Sequence, residues 1–416
     1  MLIAVFKGRR FLGGIMLTIA RLKNTQIKYA WGSTTAIQEL VGEKNYRPEP
    51  VAELWMGAHP KAPSLVRHQE QWLPLIDIIA ANPQTILGSG VADKFQNCLP
   101  FLFKVLAAAK PLSIQAHPSR DLAVKGFENE NRENIPLNAD NRNYKDANHK
   151  PECLCALSPF WALCGFRPID DIAFLVGQIC PVGLKREVDQ LNNQPDPGGL
   201  EAFFSALIFM DPGRKKPVIG EALQNARLRS AENPAFDWMA KLNREYPHDI
   251  GILSPLFLNL IRLMPGQALF LPAGELHAYL EGLGIELMAN SDNVLRGGLT
   301  SKYIDEDELL KVLSFKPRPV EILEAAHGHE AESIYPSFAE EFVLSVITVS
   351  RDEFYREPDL RSAQILLCTQ GRAHVEVGGG HEALSLHKGE SAFISAAAGT
   401  CTIRGEAVLY KAAVPV

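Results

Sequence analysis

The stretch LSIQAHPSRD, residues 112–121, sets Ser113, Gln115 and His117 at alternate positions before Pro118 ends the run. Alternate side chains of a β-strand share a face, so three polar groups would point one way. A second segment, DANHKPECLC, sets Lys150 and Glu152 on one face with Pro151 between them. A third, LPAGELHAYLEG, delivers His277 just after a Pro-Ala-Gly turn, with Tyr279 two residues on. Two imidazoles, a carboxylate and an amide oxygen form a donor set for a borderline divalent cation. The mixture of nitrogen and oxygen suits Zn²⁺, and Fe²⁺ or Mn²⁺ bind similar ligands. The seven cysteines lack CxxC spacing. That pattern argues against a disulfide framework or thiolate zinc knuckle and fits a reducing compartment. Cys153 and Cys155 alternate within an apolar run and read as core.

These segments sit among short β-like runs and turn residues from residue 25 to about 165, with helical patches at TAIQELV and WLPLIDIIAA. From about 169 to 262 the apolar spacing changes to three and four, the pattern of amphipathic helices. Beyond 340 the strand pattern returns with Gly-rich turns. LMPGQALFLPAGELH (263–277) overlays LHKGESAFISAAAGT (386–400), matching at Leu, Gly, Phe and Ala. Each half reads as strand, Gly turn, strand and turn, a unit of closed or double-sheet β architectures that resembles the cupin barrel. The overlay sets Thr400 opposite His277, so one metal site is expected rather than two.

The fold expected is therefore mainly β with a helical insertion: two cupin-like jelly-roll barrels plus an α-helical domain. Residues 1–15 form an extension, 16–168 with 259–330 the catalytic barrel, 169–258 the helical insertion, and 331–416 a C-terminal barrel without metal. Arg9-Arg10 resembles a twin-arginine signal, but the apolar stretch after it is short and ends at Arg21 and Lys23 without an A-x-A site. Met16 is an alternative start, and a cytoplasmic location is expected. The apolar fraction of 46% and charged fraction of 22% are those of an ordinary globular chain. A formal charge of −6 gives no general attraction to nucleic acid or an anionic membrane. Any anionic ligand needs a local cluster of Lys and Arg.

The strings FLFKVLAAAKPLSIQAHP, NHKPE, LPAGELHAYLEGLGIELMANSDNVLRGGLTSKYID, YAWGS and ELWMGAHPKAPS together resemble type I phosphomannose isomerases. The resemblance runs from about residue 25 to the C-terminus and is densest around 112–118, 148–152 and 272–302. It implies that Gln115, His117, Glu152 and His277 ligate one Zn²⁺ per chain. It also implies interconversion of mannose 6-phosphate and fructose 6-phosphate, feeding GDP-mannose synthesis, by a chain taken as a monomer. Such an isomerisation moves a proton between C2 and C1 while charge develops on enediolate oxygens, which a cation stabilises. Arg296, in SDNVLRGGLTSK, is the candidate cation, because its guanidinium keeps its charge at any working pH. Lys104, Ser113 and Lys302 are candidates for the phosphate grip. Lys150, Glu286 and Asp292 are candidates for the base, with Lys104 a further one. The competing readings are an Fe²⁺ cupin oxygenase and a non-catalytic sugar-phosphate-binding cupin. His149 alternates away from Lys150 and Glu152 and is placed outside the metal shell. His59 is either pocket wall or turn.

Overall fold

The computed structural model describes residues 17–43, 48–68, 71–328, 331–357, 359 and 361–415. The extension expected over 1–15 lies outside the described residues. The strands form two sheets of 11 strands each. The mainly β class with a helical insertion holds, and no closed barrel is found among the described residues.

The helical block follows its local signals closely. Helices span Ile169–Ile179, Lys185–Asn193, Pro197–Ile208, Pro212–Leu228 and Pro234–Glu245. The last three open on Asp196-Pro197, Asp211-Pro212 and Asn233-Pro234. In each, the side-chain oxygen accepts a backbone N–H of the first turn, and proline takes the first helical position, where no N–H is needed. Their apolar stripes share one core with Ile114, Ala116 and Leu295 of the β part. The insertion thus backs the strands that carry the opening motif.

The long strand His277–Ala289 organises the sheet that holds those motifs. Its first residues pair with Gln115 and with Cys164, Leu163 and Ala162. Its second part, Gly282–Ala289, pairs with Phe101–Ala108 on one side, and Gly284–Met288 pairs with Glu152–Ala156 on the other. The change of partners falls at a register shift between Tyr279 and Glu281, followed by Gly282 at φ +142°. A Cβ there would lie 2.8 Å from the Phe160 Cα. Glycine is needed for both the backbone angle and the close approach.

The two sheets share an apolar core. Phe103, Val105, Ile285 and Leu287 of one pack with Leu344, Ile365, Leu367 and Phe393 of the other. The opposite face of the C-terminal sheet encloses a second core with Ile347, Leu366, Ile403 and Leu409. Both segments of the sequence repeat form a strand, a glycine turn and a strand. Gly266 and Gly389, which it aligns, both take positive φ (89° and 83°) between strands, and each copy runs into a 13-residue strand, His277–Ala289 or Cys401–Ala413. Among the described residues no helix is long and apolar enough to cross a membrane. All seven cysteines are free, and Cys153 and Cys155 are buried as their pattern implied.

Because the bend at Gly282 cannot accept a side chain, Gly282→Ala is expected to lose about 2 kcal/mol or more of stability through strain and overpacking. Urea unfolding of the two chains measures it, and a midpoint equal to wild type would show that the strand is not built this way.

Candidate metal centre

Only three residues of the strand Ile114–Ala116 are regular, but its pairing fixes what flanks it. Gln115 stands opposite His277 on one side and Arg296 on the other. His117 follows the strand, and Glu152 opens the strand Glu152–Ala156, opposite Met288 and Leu271. These pairings bring the two imidazoles and the carboxylate together. His117 Nε2 lies 3.2 Å from Glu152 Oε1, and His277 Nε2 lies 3.4 Å from Glu152 Oε2. His117, Glu152 and His277 form a buried group able to hold a metal ion, with ligand atoms within 4.8 Å of one another. The Gln115 amide completes the group, its Nε2 3.4 Å from His277 Nε2. Half a turn about its terminal bond puts Oε1 in that place.

Hydrogen bonding at the far side of each ring prepares it for a cation. His117 Nδ1 donates to the Asn293 carbonyl at 2.7 Å, and His277 Nδ1 donates to the Glu275 carbonyl at 2.9 Å. A carbonyl only accepts, so each ring carries its proton on Nδ1 and turns an Nε2 lone pair inward. His117 Nε2 and Glu152 Oε1 are buried without a hydrogen-bond partner. Buried orphan acceptors of this kind are costly, and a divalent cation with nitrogen and oxygen preferences satisfies them. The residues present fit Zn²⁺.

A row of charge extends from this group across the sheet. Lys150 Nζ lies 2.9 Å from Glu152 Oε1, close enough to pair but not aligned for a hydrogen bond. Burial alone would raise the Glu152 carboxyl. Lys150 and His117 more than offset that and hold it well below the usual carboxylate range. Tyr279 donates to Glu152 Oε2 at 3.0 Å. Lys104, directly opposite Glu286, pairs with it at 2.8 Å and with Glu53 at 3.5 Å. Burial pulls the Lys104 ammonium down, but Glu286 and Glu53 outweigh it and hold it above its ordinary value. Burial pushes Glu286 upward even against Lys104. Glu286 lies nine positions beyond His277, an odd number that sends side chains to opposite faces in a regular strand. The register shift after Tyr279 restores them to one face.

The remaining candidates lie around the rim. Arg296 is half-buried and makes no ion pair or hydrogen bond among the described residues. Burial depresses the pKa of its guanidinium. Lys302 is exposed, and its pKa is lowered first by partial burial and then by Arg296. Asp292 is held ionised against burial by Lys61, 2.9 Å away, and by His59. His59 stands edge-on to Trp55 and 3.7 Å from Asp292, and its carbonyl accepts the Ala62 N–H of the turn that follows. His149 turns away to Glu341 at 2.8 Å, outside the metal group. Ser113 flanks the strand half-buried, with no contact to the donors.

Three residues escaped the sequence reading. Glu53 sits in a strand, Glu53–Gly57, buried at every position; a carboxylate heading a fully apolar run was the available signal. The Lys145 ammonium donates to the Ala139 carbonyl at 3.2 Å, and partial burial is the main cause that lowers its pKa, with Arg296 a minor one. Asn293 is fully buried. Its side chain accepts from the backbone of Lys145 and Asp146 and donates to the carbonyls of Asp146 and Asn148. It staples loop 145–148 to the loop whose carbonyl orients His117.

Burial, with Lys150 adding to it, lowers His117 to about 4 in the metal-free chain. The unfolded chain then takes up a proton that the folded chain refuses. Stability is full above about pH 6.5 and falls as pH drops toward about 4. Metal-free protein is expected to lose about 3 kcal/mol by this route, a component missing from His117→Gln. Urea titrations of both chains at about pH 7 and about pH 4.5 read the difference, and parallel losses would refute it.

Comparison with known proteins places this geometry. The model described as phosphomannose isomerase type I, catalytic domain, matches residues 19–169, and that for the mannose-6-phosphate isomerase cupin domain matches 331–413. Mannose-6-phosphate isomerase of Escherichia coli K12 is 41% identical over 393 residues, covering 94% of this chain and 98% of its own. The Homo sapiens protein of that name is 34% identical over 401 residues, covering 89% and 91%. A mutant phosphomannose isomerase from Salmonella typhimurium superposes with a TM-score of 0.90 at 38% identity, covering 96% of this chain and 100% of that one. A zinc-bound mannose 6-phosphate isomerase gives 0.89 at the same identity and coverage.

Proposed function

The chain belongs to the type I phosphomannose isomerase family, and from that membership we infer that it interconverts mannose 6-phosphate and fructose 6-phosphate with one zinc ion per chain. The observation that carries the inference is the pair of inward Nε2 lone pairs facing an ionised, buried Glu152. His117, His277, Glu152 and Gln115 would hold the ion. When bound, the zinc supplies Lewis acidity that polarises a substrate carbonyl oxygen.

In the aldose-to-ketose direction a base removes the C2 proton, the electron pair forms the C1–C2 double bond, and negative charge moves to O1. The O2 proton passes to O1 and the abstracted proton is returned to C1, which leaves the C2 ketone and the C1 alcohol with no net gain or loss of protons. Arg296 is the group we assign to that oxygen charge. It pairs in register with Gln115, and among the described residues no carboxylate forms an ion pair with it. Lys302, which stands in the field of Arg296, supports a local phosphate grip on a chain of net charge −6. Ser113 belongs to this grip by its place beside Ile114. Lys104 reads instead as the partner that keeps Glu286 and Glu53 buried together.

For the base we favour Asp292 over Lys150 and Glu286. Asp292 is ionised and partly open, whereas Lys150 is engaged with Glu152, and Glu286 is buried against Lys104. The domain reading is carried with this proposal: 16–168 with 259–330 as catalytic unit, 169–258 as insertion, 331–416 as a C-terminal cupin barrel. The cupin-domain match over 331–413 supports the last. One strand crosses that division, since Ile19–Lys23 pairs with Ser391–Ile394.

Chelation is expected to abolish isomerisation and zinc to restore it, read by fructose 6-phosphate formation. A zinc-loaded, folded chain without activity would end the proposal. Arg296→Ala is expected to lower kcat about 100-fold or more while zinc content stays at one per chain. Asp292→Asn should likewise lose kcat, by about 100-fold, together with solvent-deuterium exchange at the substrate carbon. Exchange at the wild-type rate would move the base to Lys150 or Glu286.

A further inference from the structure

The enclosed face of the C-terminal sheet changes character along its strands. Ile347 and Leu409 stand opposite each other in its apolar core. Two residues further along the same strands and the same face, Ser345 stands opposite Lys411, and Gln364 opposite Ala413. All three polar residues are buried, with Ser345 1%, Gln364 2% and Lys411 7% exposed. They line a cavity of about 280 Å³ together with Glu332 and Glu357. A packed sheet interior is ordinarily apolar, and a buried ion pair is no more stabilising than a well-packed apolar substitute. This end of the sheet is built as a lined space instead.

The hydrogen-bond balance of that space selects its ligand. The Lys411 ammonium pairs with Glu332 Oε1 at 2.8 Å and donates to the Tyr355 hydroxyl at 2.8 Å and to Glu357 Oε2 at 3.3 Å. Ser345 donates to Glu332, and Gln364 Nε2 donates to Glu357. Acceptors are left over: Gln364 Oε1 is buried without a partner among the described residues, where every polar contact to the Glu332 carboxylate goes to Oε1 and every one to the Glu357 carboxylate to Oε2. At the mouth Arg361 pairs with Asp359 at 3.1 Å. Two cationic and three anionic side chains line the cavity, so a phosphate is repelled. Spare acceptors call for hydroxyl donors, and the volume lies just below that of pockets for drug-sized ligands.

We propose that this cavity, in the sheet that lacks the metal donors, is a second binding site for a neutral, hydroxyl-rich molecule the size of one monosaccharide. The hydroxyls donate to Glu332, Glu357 and the Gln364 carbonyl. Thr400 stands where the repeat puts His277, so the two halves share a fold and differ in ligand chemistry.

The probe is D-mannose, added to the full-length, zinc-loaded chain and followed by equilibrium dialysis and by saturation-transfer NMR. One saturable equivalent is expected at the C-terminal site. Gln364→Leu removes the amide, and Ala413→Leu fills the cavity without touching an ion pair. Each should weaken mannose binding at least about 10-fold, about 1.4 kcal/mol, and leave isomerisation unchanged. Should Gln364→Leu fail to fold, Ala413→Leu decides alone. Absence of saturable binding overturns the proposal, as does binding undiminished in Ala413→Leu. Displacement of mannose by inorganic phosphate at that site overturns its neutral-ligand chemistry.

Discussion

A fully buried carboxylate governs the architecture of this chain. Taking Glu152 out of water costs several kcal/mol unless opposite charge and hydrogen bonds replace the lost solvent. The fold brings the replacements from separate strands and loops: Lys150 beside it, Tyr279 from the long strand, His117 and His277 on either oxygen. Each replacement needs its own support. The two rings are oriented by the backbone carbonyls of Asn293 and Glu275, and Asn293 is locked by five hydrogen bonds to loop 145–148. A site of this kind is preorganised because its unliganded form is already constrained by compensation for one charge.

That compensation requires two regions of sheet to meet at a single strand. His277–Ala289 presents its early residues to the Gln115 strand and its later ones to Lys104 and Glu152, and the change occurs where Gly282 lets the backbone turn. The bend converts two unrelated partner sets into one continuous polar face. The helical insertion supports the other side. Asp249 accepts from the Gly251 and Thr300 backbone N–H groups and ties the end of the helical block to the segment after Arg296. The insertion thereby helps hold the rim that carries Arg296 and Lys302 without contributing donors to the metal group.

The C-terminal sheet repeats the strand-turn-strand unit and uses it otherwise. One face packs against the catalytic sheet through Leu344, Ile365 and Phe393, which couples the stability of the two. Arg120 and His149 add a polar tie to the buried Glu341. The enclosed face keeps an apolar core at one end and a charged cavity at the other, so the second half is more than a brace.

Local signals determined much of this. Alternation in LSIQAHP and HKPE placed Gln115 with His117 and Lys150 with Glu152, and apolar spacing of three and four marked the helical block over about 169–262. The aligned Gly266 and Gly389 showed the repeat before any coordinates did. Long motifs identified the family, because a string of many residues is specific where a single spacing is not. Tertiary structure alone decided that Glu286 shares a face with His277 and that Lys104 is committed to Glu286 and Glu53. It also decided that the strands form two open 11-stranded sheets and that Ile19–Lys23 joins the C-terminal one. The physical reason is one of range. Periodicity reports which way a side chain points relative to its own neighbours. Which distant strand it meets depends on register, on a one-residue slip beside Gly282, and on the cost of leaving a buried charge unpaired.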